Sequence, residues 1–228
     1  ALSNGCSAGT GSALVTFSAT DACGNAVTAT ATIAVEDINA PYFVNQARDT
    51  IVECNGNGNA LDLANWLANH GGAVAEDACS EPLTWSNTLL NTIQNCGGTS
   101  TARYSFTATD ACGNTSVATE ALFVIRDTTI PVFSTLPQDS VAQCDGSGNT
   151  VQLNGWLAAN GGLMATDICG SISDIEYDLV SETDLCALTG RSLYRFTIID
   201  ACGNVNTAEA SFIIADTIPP VITGGADI

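Results

Sequence analysis

The chain has 228 residues, 24 of them acidic and five basic, for a net charge of −19, and every basic residue is an arginine. A surface of that sign repels phosphate backbones and excludes nucleic acid as a partner; the absence of lysine excludes Schiff-base chemistry and Lys–Asn isopeptide cross-links. Ten cysteines imply an oxidising extracellular compartment, where covalent locking is by cystine, and no run of about 18 apolar residues is present to span a membrane.

The first 37 residues end a pattern that then returns twice. TDACGN at Thr20 to Asn25 reappears 89 residues later at Thr109 to Asn114, and 90 residues beyond that as IDACGN at Ile199 to Asn204. Cys54, Cys79, Cys96 and Trp66 likewise recur 90 residues on as Cys144, Cys169, Cys186 and Trp156. A period of this length marks a tandem array, and it is near the size of an immunoglobulin-like sandwich. The expected organisation is the C-terminal part of a repeat at 1–37, complete repeats at 38–127 and 128–216, and the first strand of a following repeat at 217–228. The first residues carry no basic n-region, so export signals are expected elsewhere in a longer chain, of which this is a segment.

Within the repeat at 38–127, PYFVN and DTIVEC are β-rich and read as its first two strands. NGNGN breaks the pattern and leads into ALDLANWLANHGG, where Leu61, Ala64, Leu67 and Ala68 recur at helical spacing and define an apolar face. Asn59 is placed as the N-cap with Asp62 three residues on, Asn149 with Gln152 in the next copy, and the glycine pair supplies the left-handed stop. AVAEDACS, EPLTWSNTLL and TARYSFTATD read as strands, with Tyr104 and Phe106 alternating inward as Tyr194 and Phe196 do later. ACGN turns the chain into a last strand, SVATEALFVIRD, because Gly and Asn tolerate positive φ. At each junction an aspartate stands four residues before a proline, at Asp37 and Pro41, Asp127 and Pro131, and Asp216 and Pro220, so short stiff linkers and a rod of domains are expected.

These residues carry a likeness. With TDACGN closing a strand, DTTxP at the junction, VEC early and DAC in mid-domain, the chain resembles the HYR-like, immunoglobulin-like repeats of large secreted Bacteroidota surface proteins, over essentially all of its length. The resemblance implies an all-β fold of tandem immunoglobulin-like β-sandwich domains in an extracellular structural or adhesive protein without enzymatic activity, forming a filament, matrix fibre or adhesin stalk. Its partners would be copies of itself head to tail, or neighbouring repeats of a longer chain. The short helix in each repeat departs from the shortest members of that family. The alternative reading is a carbohydrate- or ligand-binding module directed at surface glycans.

Four cysteines per repeat allow three pairings. In an immunoglobulin-like sandwich the end of the second strand and the hairpin after the sixth are expected at one pole, which favours Cys54–Cys112 and Cys144–Cys202, with Cys79–Cys96 and Cys169–Cys186 nested between them. A sequential scheme with Cys96–Cys112 stays open; it would have to bridge the two ends of a strand of about ten residues, roughly 30 Å. If Cys6 and Cys23 pair with each other, the sequential scheme gains.

EDINAPYF is similar to the calcium-binding junction of cadherins. Glu36, Asp37 and Asn39, joined by Asp77 or Asp110 from loops, are the candidate calcium ligands, and Asp127 and Asp216 their remnants at the other junctions. The competing reading is an aspartate bonded to turn amides without metal. DGSGN at Asp145 to Asn149 starts like an EF-hand loop, but Trp156 stands where the bidentate Glu belongs, so a turn is expected. Trp66 and Trp156 are read as core residues in preference to sugar platforms. In the resembled family, D-S/T-apolar or D-T-T tripeptides are O-glycosylation sites, which singles out Thr50, Thr128, Ser140 and Thr217; Asn114 begins a lone NTS sequon. The single histidine, His70, has Asn160 as its counterpart, which leaves no repeated histidine-based catalytic or zinc site.

Overall fold

The computed structural model describes residues 2–79 and 82–221. The sequence reading of 217–228 as a first strand therefore lies mostly outside the described residues. The chain is all-β, built as tandem immunoglobulin-like sandwiches, and it divides into two compact units. The first contains residues 1–52, 57–95 and 100–126; the second contains 53–56, 96–99 and 127–228, so two short loops of the middle repeat belong to the second unit.

The first unit opens with β1 (Ser3–Asn4), β2 (Gly11–Thr20) and β3 (Ala26–Val35), an antiparallel three-stranded sheet. It continues with β4 (Tyr42–Asn45), β5 (Thr50–Glu53), α1 (Ala60–Ala68), β6 (Val74–Glu76), β7 (Thr84–Gln94), β8 (Ser100–Thr109) and β9 (Thr119–Arg126). β4 pairs with β6, and the order β5-β9-β8-β7 makes the larger sheet. The second unit repeats the plan with β10 (Val132–Thr135), β11 (Ser140–Gln143), α2 (Thr150–Ala158), β12 (Met164–Thr166), β13 (Ile172–Asp184), β14 (Gly190–Asp200) and β15 (Val205–Ala215), in sheets β10-β12 and β11-β15-β14-β13.

Alternation along β8 and β14 builds each core, because successive side chains of a strand face opposite sides. Tyr104, Phe106 and Ala108 point inward from β8, and Phe196 and Ile198 from β14. The helix closes the open side. Trp66 meets Tyr104, Phe106 and Phe123 at ring-centroid distances of 5.3–5.7 Å, and Trp156 meets Tyr194, Phe196 and Phe212 at 5.4–5.8 Å. The face of α1 against the sheet is Leu63, Trp66 and Leu67, whereas Leu61, Ala64 and Ala68 are exposed, which corrects the expected face by about a third of a turn. The indole decides it: the largest apolar surface on the helix is buried first, and its Nε1 still reaches the Arg48 carbonyl at 3.3 Å.

Asn59 and Asn149 occupy the N-cap positions, but in left-handed conformation and without a side-chain capping bond to the backbone amides of the helix. Asn59 instead donates its amide to the Asp62 carboxylate at 2.8 Å, and the fully buried Asn149 donates to the Gln143 carbonyl at 2.8 Å. After each helix Gly71 and Gly161 take φ of 65° and 62°; a Cβ there would meet the Phe106 and Phe196 rings at 3.1 and 3.3 Å.

Candidate functional site: cystines and carboxylates at the sandwich poles

The parallel pairing of β11 with β15, from Ser140 opposite Phe212 to Gln143 opposite Ala215, decides where the cysteines lie. Cys144 follows directly and donates its amide to the Ala215 carbonyl at 2.9 Å. Residue 214, beside it, is paired with Gly190 at the start of β14. Cys144 is therefore near Cys186, which opens the turn before β14, and the full length of β14 separates both from Cys202, about 35 Å for eleven residues. At the other end, the Ala201 amide donates to the Ser171 carbonyl at 3.1 Å, which brings Cys202 toward Cys169. Each repeat thus has two cysteines at one pole and two at the other.

The cystines follow from that distribution. Cys6 is bonded to Cys112, Cys54 to Cys169 and Cys96 to Cys202, with Cα–Cα distances of 4.9, 5.8 and 5.0 Å. Each bond joins residues of successive sequence repeats and lies inside one compact unit. The expected pairs Cys54–Cys112, Cys79–Cys96, Cys144–Cys202 and Cys169–Cys186 are all replaced. The second strand runs parallel to the last, and that direction puts its end at the pole opposite the one the sequence reading assigned. The sequential Cys96–Cys112 bond is absent too, since those residues flank the ten-residue β8. Cys23, Cys79, Cys144 and Cys186 are free thiols.

The three DACGN hairpins share one bonding pattern. Asp21, Asp110 and Asp200 each accept the backbone amides two and four residues on, at 2.7–2.9 Å, and the amide side chain of Asn25, Asn114 or Asn204 at 2.7–2.8 Å. In Asp21 the Asn25 side chain is the leading cause that holds the carboxyl below its ordinary value. In Asp110 and Asp200 burial pushes upward and is outweighed by the bonds from Asn114 and Asn204 and from the turn amides. The same asparagines reach the preceding junction, Asn114 donating to the Asp37 carbonyl at 3.0 Å and Asn204 to the Asp127 carbonyl at 3.4 Å. Asn114 is thereby engaged twice, so its sequon amide is committed to the turn.

The junctions carry a second clamp. Glu53 accepts the Thr128 amide at 2.6 Å and the hydroxyls of Thr128 and Thr129 at 3.0 and 3.1 Å. Gln143, its counterpart, accepts from the Thr217 amide and hydroxyl at 3.1 and 2.7 Å and donates to Asp216 at 3.0 Å. Of the four candidate glycosylation residues, Thr128 and Thr217 are exposed with hydroxyls held in these clamps, and Thr50 and Ser140 are half-buried at the first positions of β5 and β11.

Among the described residues, the carboxylates of Asp37, Asp77 and Asp110 offer oxygens within 4.8 Å of one another. Asp127 and Asp167, the counterparts of Asp37 and Asp77, converge in the same way beside Cys169, whose sulfur is committed to its cystine. Burial is the main cause that raises the Asp127 carboxyl above its ordinary value, and the negative charges of Asp167, Asp200 and Glu53 add to it. One oxygen of Asp167 is buried with no hydrogen-bond partner. Asp167 and Asp200 were not singled out in the sequence, although shifting Asp77 and Asp110 by 90 residues lands on them. Glu36 and Asn39 are exposed outside the cluster, Asn39 donating its amide to Asp37 at 3.2 Å, and Asp216 stays with Gln143 and the Ile218 amide.

The remaining candidates have structural roles. Asp145 accepts the Ser147 and Asn149 amides at 2.7 and 3.1 Å, so DGSGN is a turn. His70 stacks on Trp85 with ring centroids 4.1 Å apart and planes 2° from parallel, and burial lowers its pKa. Among the described residues no helix is long and apolar enough to cross a membrane.

No protein-family model matches this chain, and no curated protein does. Solved structures similar to it include the protocadherin gammaB7 EC3-6 cis-dimer, at 14% identity over 89% of this chain and 60% of that chain with a TM-score of 0.37. The human desmocollin-1 ectodomain aligns at 12% identity over 89% of this chain and 48% of that one, TM-score 0.28. Drosophila N-cadherin EC1-4 aligns at 10% identity over 90% and 58%, TM-score 0.24. The chain spans 60% or less of the length of each. At scores this low the likeness carries no argument about function.

Proposed function

We propose that the chain is a segment of an extracellular structural or adhesive array, in which repeats with the bounds 38–127 and 128–216 are coupled in line by cystines. The observation that carries this reading is that one bond is made twice: Cys6–Cys112 and Cys96–Cys202 have the same sequence separation of 106 residues, one period apart. A catalytic protein concentrates its chemistry at one cleft; this chain repeats its chemistry at every period. Cystines also support a location outside the cytoplasm. The Glu53 and Gln143 clamps favour stiff junctions.

The half repeat supports head-to-tail continuation. Phe17, Ile33 and Val35 are exposed on β2 and β3, whereas their counterparts Phe106, Phe123 and Ile125 are buried. A neighbouring segment that supplies a helix and two short strands would cover that face.

Calcium fits the carboxylate clusters. Asp37 with Asp77 and Asp110, and Asp127 with Asp167, would supply hard oxygen ligands, and the unpartnered buried oxygen of Asp167 is a donor in want of a cation. The ion would neutralise like charges at the poles.

Electron microscopy of material shed by the cells that make the protein tests this function, with and without a chelator. Filaments or straight stalks of regular axial repeat are the expected result, with fraying under chelation. Dispersed compact particles would sink the array.

A further inference from the structure

Two pairing rules account for every cystine. A Cys96-type residue bonds the Cys112-type residue of the next repeat, seen at Cys6–Cys112 and Cys96–Cys202, and a Cys54-type residue bonds the next Cys79-type residue, seen at Cys54–Cys169. The four free thiols are what these rules leave over. Cys144 and Cys186 are the counterparts of the forward-bonding Cys54 and Cys96; Cys79 and Cys23 are the counterparts of the backward-bonding Cys169 and Cys112. Each free thiol thus has a counterpart that is bonded elsewhere in the same chain.

Their local geometry is that of the bonded residues. Thr189 donates its hydroxyl to the Cys186 carbonyl at 2.6 Å, as Thr99 does to Cys96, and the two sulfurs lie 3.4 and 3.6 Å from those hydroxyls. The amide of Cys23 donates to Asp21 at 2.9 Å, as Cys112 and Cys202 donate to Asp110 and Asp200. The amide of Cys79 donates to Asp77 at 2.8 Å, as Cys169 donates to Asp167 at 2.7 Å. Cys144, like Cys54, follows the last residue of its strand directly. Cys23, Cys79 and Cys186 are exposed. The turns hold these thiols as they hold the bonded ones, so a joint needs no refolding of either side.

We propose that Cys144 and Cys186 form the forward half of a polar two-cystine joint to a further repeat of this kind, and that Cys79 and Cys23 are the backward-bonding members of two successive joints of the same type. The forward pair takes the Cys79-type and Cys112-type thiols of one following repeat; backward, Cys79 takes the Cys54-type thiol of the repeat that ends at residue 37, and Cys23 takes the Cys96-type thiol of the repeat before that. The chemistry is oxidation by a disulfide such as oxidised glutathione. One thiolate attacks the oxidant and releases one glutathione thiolate; the partner thiolate attacks the resulting mixed disulfide and releases the second. Two thiols lose two protons and two electrons, one S–S bond forms, and one glutathione disulfide is reduced to two thiols.

The inference deepens the array reading and rests on it. Its test is a chain in which residues 128–216 follow once more after Asp216, refolded in a glutathione redox buffer, alkylated with iodoacetamide and mapped by mass spectrometry without reduction. Cys144 and Cys186 should lose their reactivity and appear linked to the appended counterparts of Cys169 and Cys202. The cystines then rise from the present three to five while the free thiols stay at four. Alkylated Cys144 and Cys186, or a bond between them, would overturn the joint. If Cys54–Cys169 and Cys96–Cys202 persist in that case, only this inference falls; if they are missing as well, the array reading falls with it.

A second arm identifies the source of the partner repeat. The 228-residue chain alone, incubated with oxidised glutathione, yields Cys186–Cys23 dimers if a second copy serves, and glutathionylated monomer if the joint belongs to a continuous longer chain. Dimers linked Cys23 to Cys23 or Cys186 to Cys186 would overturn the polarity in either case.

Discussion

A single aspartate side chain organises each DACGN turn, and its titration reports on the fold. Asp21 and Asp200 are held below the ordinary carboxyl value of 3.8, so the stability they lend is present above that value and is lost as pH falls through their lower folded values. Asp127 has the opposite sign: its folded value is raised, chiefly by burial, so its contribution is present below 3.8 and is lost as pH rises through the folded value. Thermal melts between about pH 2 and 7 should show Asp200→Asn losing part of the acid-side decline, and Asp127→Asn more stable than the parent chain at neutral pH without calcium. The turn role of these aspartates was legible in the sequence because donor and acceptor lie within four residues. The convergence of Asp37, Asp77 and Asp110 was legible only through the repeat, since it depends on which loops share a pole. Asp167 lies in a loop far in sequence from the junction residue Asp127 that it faces, so only the 90-residue shift from Asp77 points to it.

Strands and helices show which sequence signals transfer to space. Alternation of Tyr104, Phe106, Tyr194 and Phe196 foretold the inward faces of β8 and β14, because a two-residue period is geometric. The helices were found by spacing and their faces were not: α1 offers apolar residues on two sides, and ring size chose Trp66 over Leu61. Trp156 donates its indole N–H to the Gln138 carbonyl at 3.0 Å and is in contact with three aromatic rings. Trp156→Ala should lower the unfolding free energy by about 3 kcal/mol in urea titrations, in the range of buried aromatic truncations; a loss under about 1 kcal/mol would mean that α2 is not what closes the core. The direction of β5 and β11 left no trace in composition. Four residues read alike either way, and on that direction the whole cystine scheme turned.

The array as a whole is set by bonds between residues more than a hundred positions apart, with sequence separations of 106 and 115. An even number of cysteines per period reads as intra-repeat pairing, which the bonds between repeats replace. The period was therefore the most legible property of the chain, and the linkage between periods the least.

That linkage has a mechanical consequence. Tension that enters at Cys112 and leaves at Cys202 does not have to run through the 89 intervening residues, because Cys96 is bonded to Cys202 and stands only 16 positions before Cys112. Those positions are β8 and its two flanking turns, already extended and held by β7 and β9 on either side. The load would shear one central strand and bypass the helix and the remaining strands. Stretched by single-molecule force spectroscopy, the oxidised chain should yield almost no added length between those points, whereas after reduction the same span should pay out roughly 300 Å. A tether wired in this way can be broken, but it cannot be unspooled.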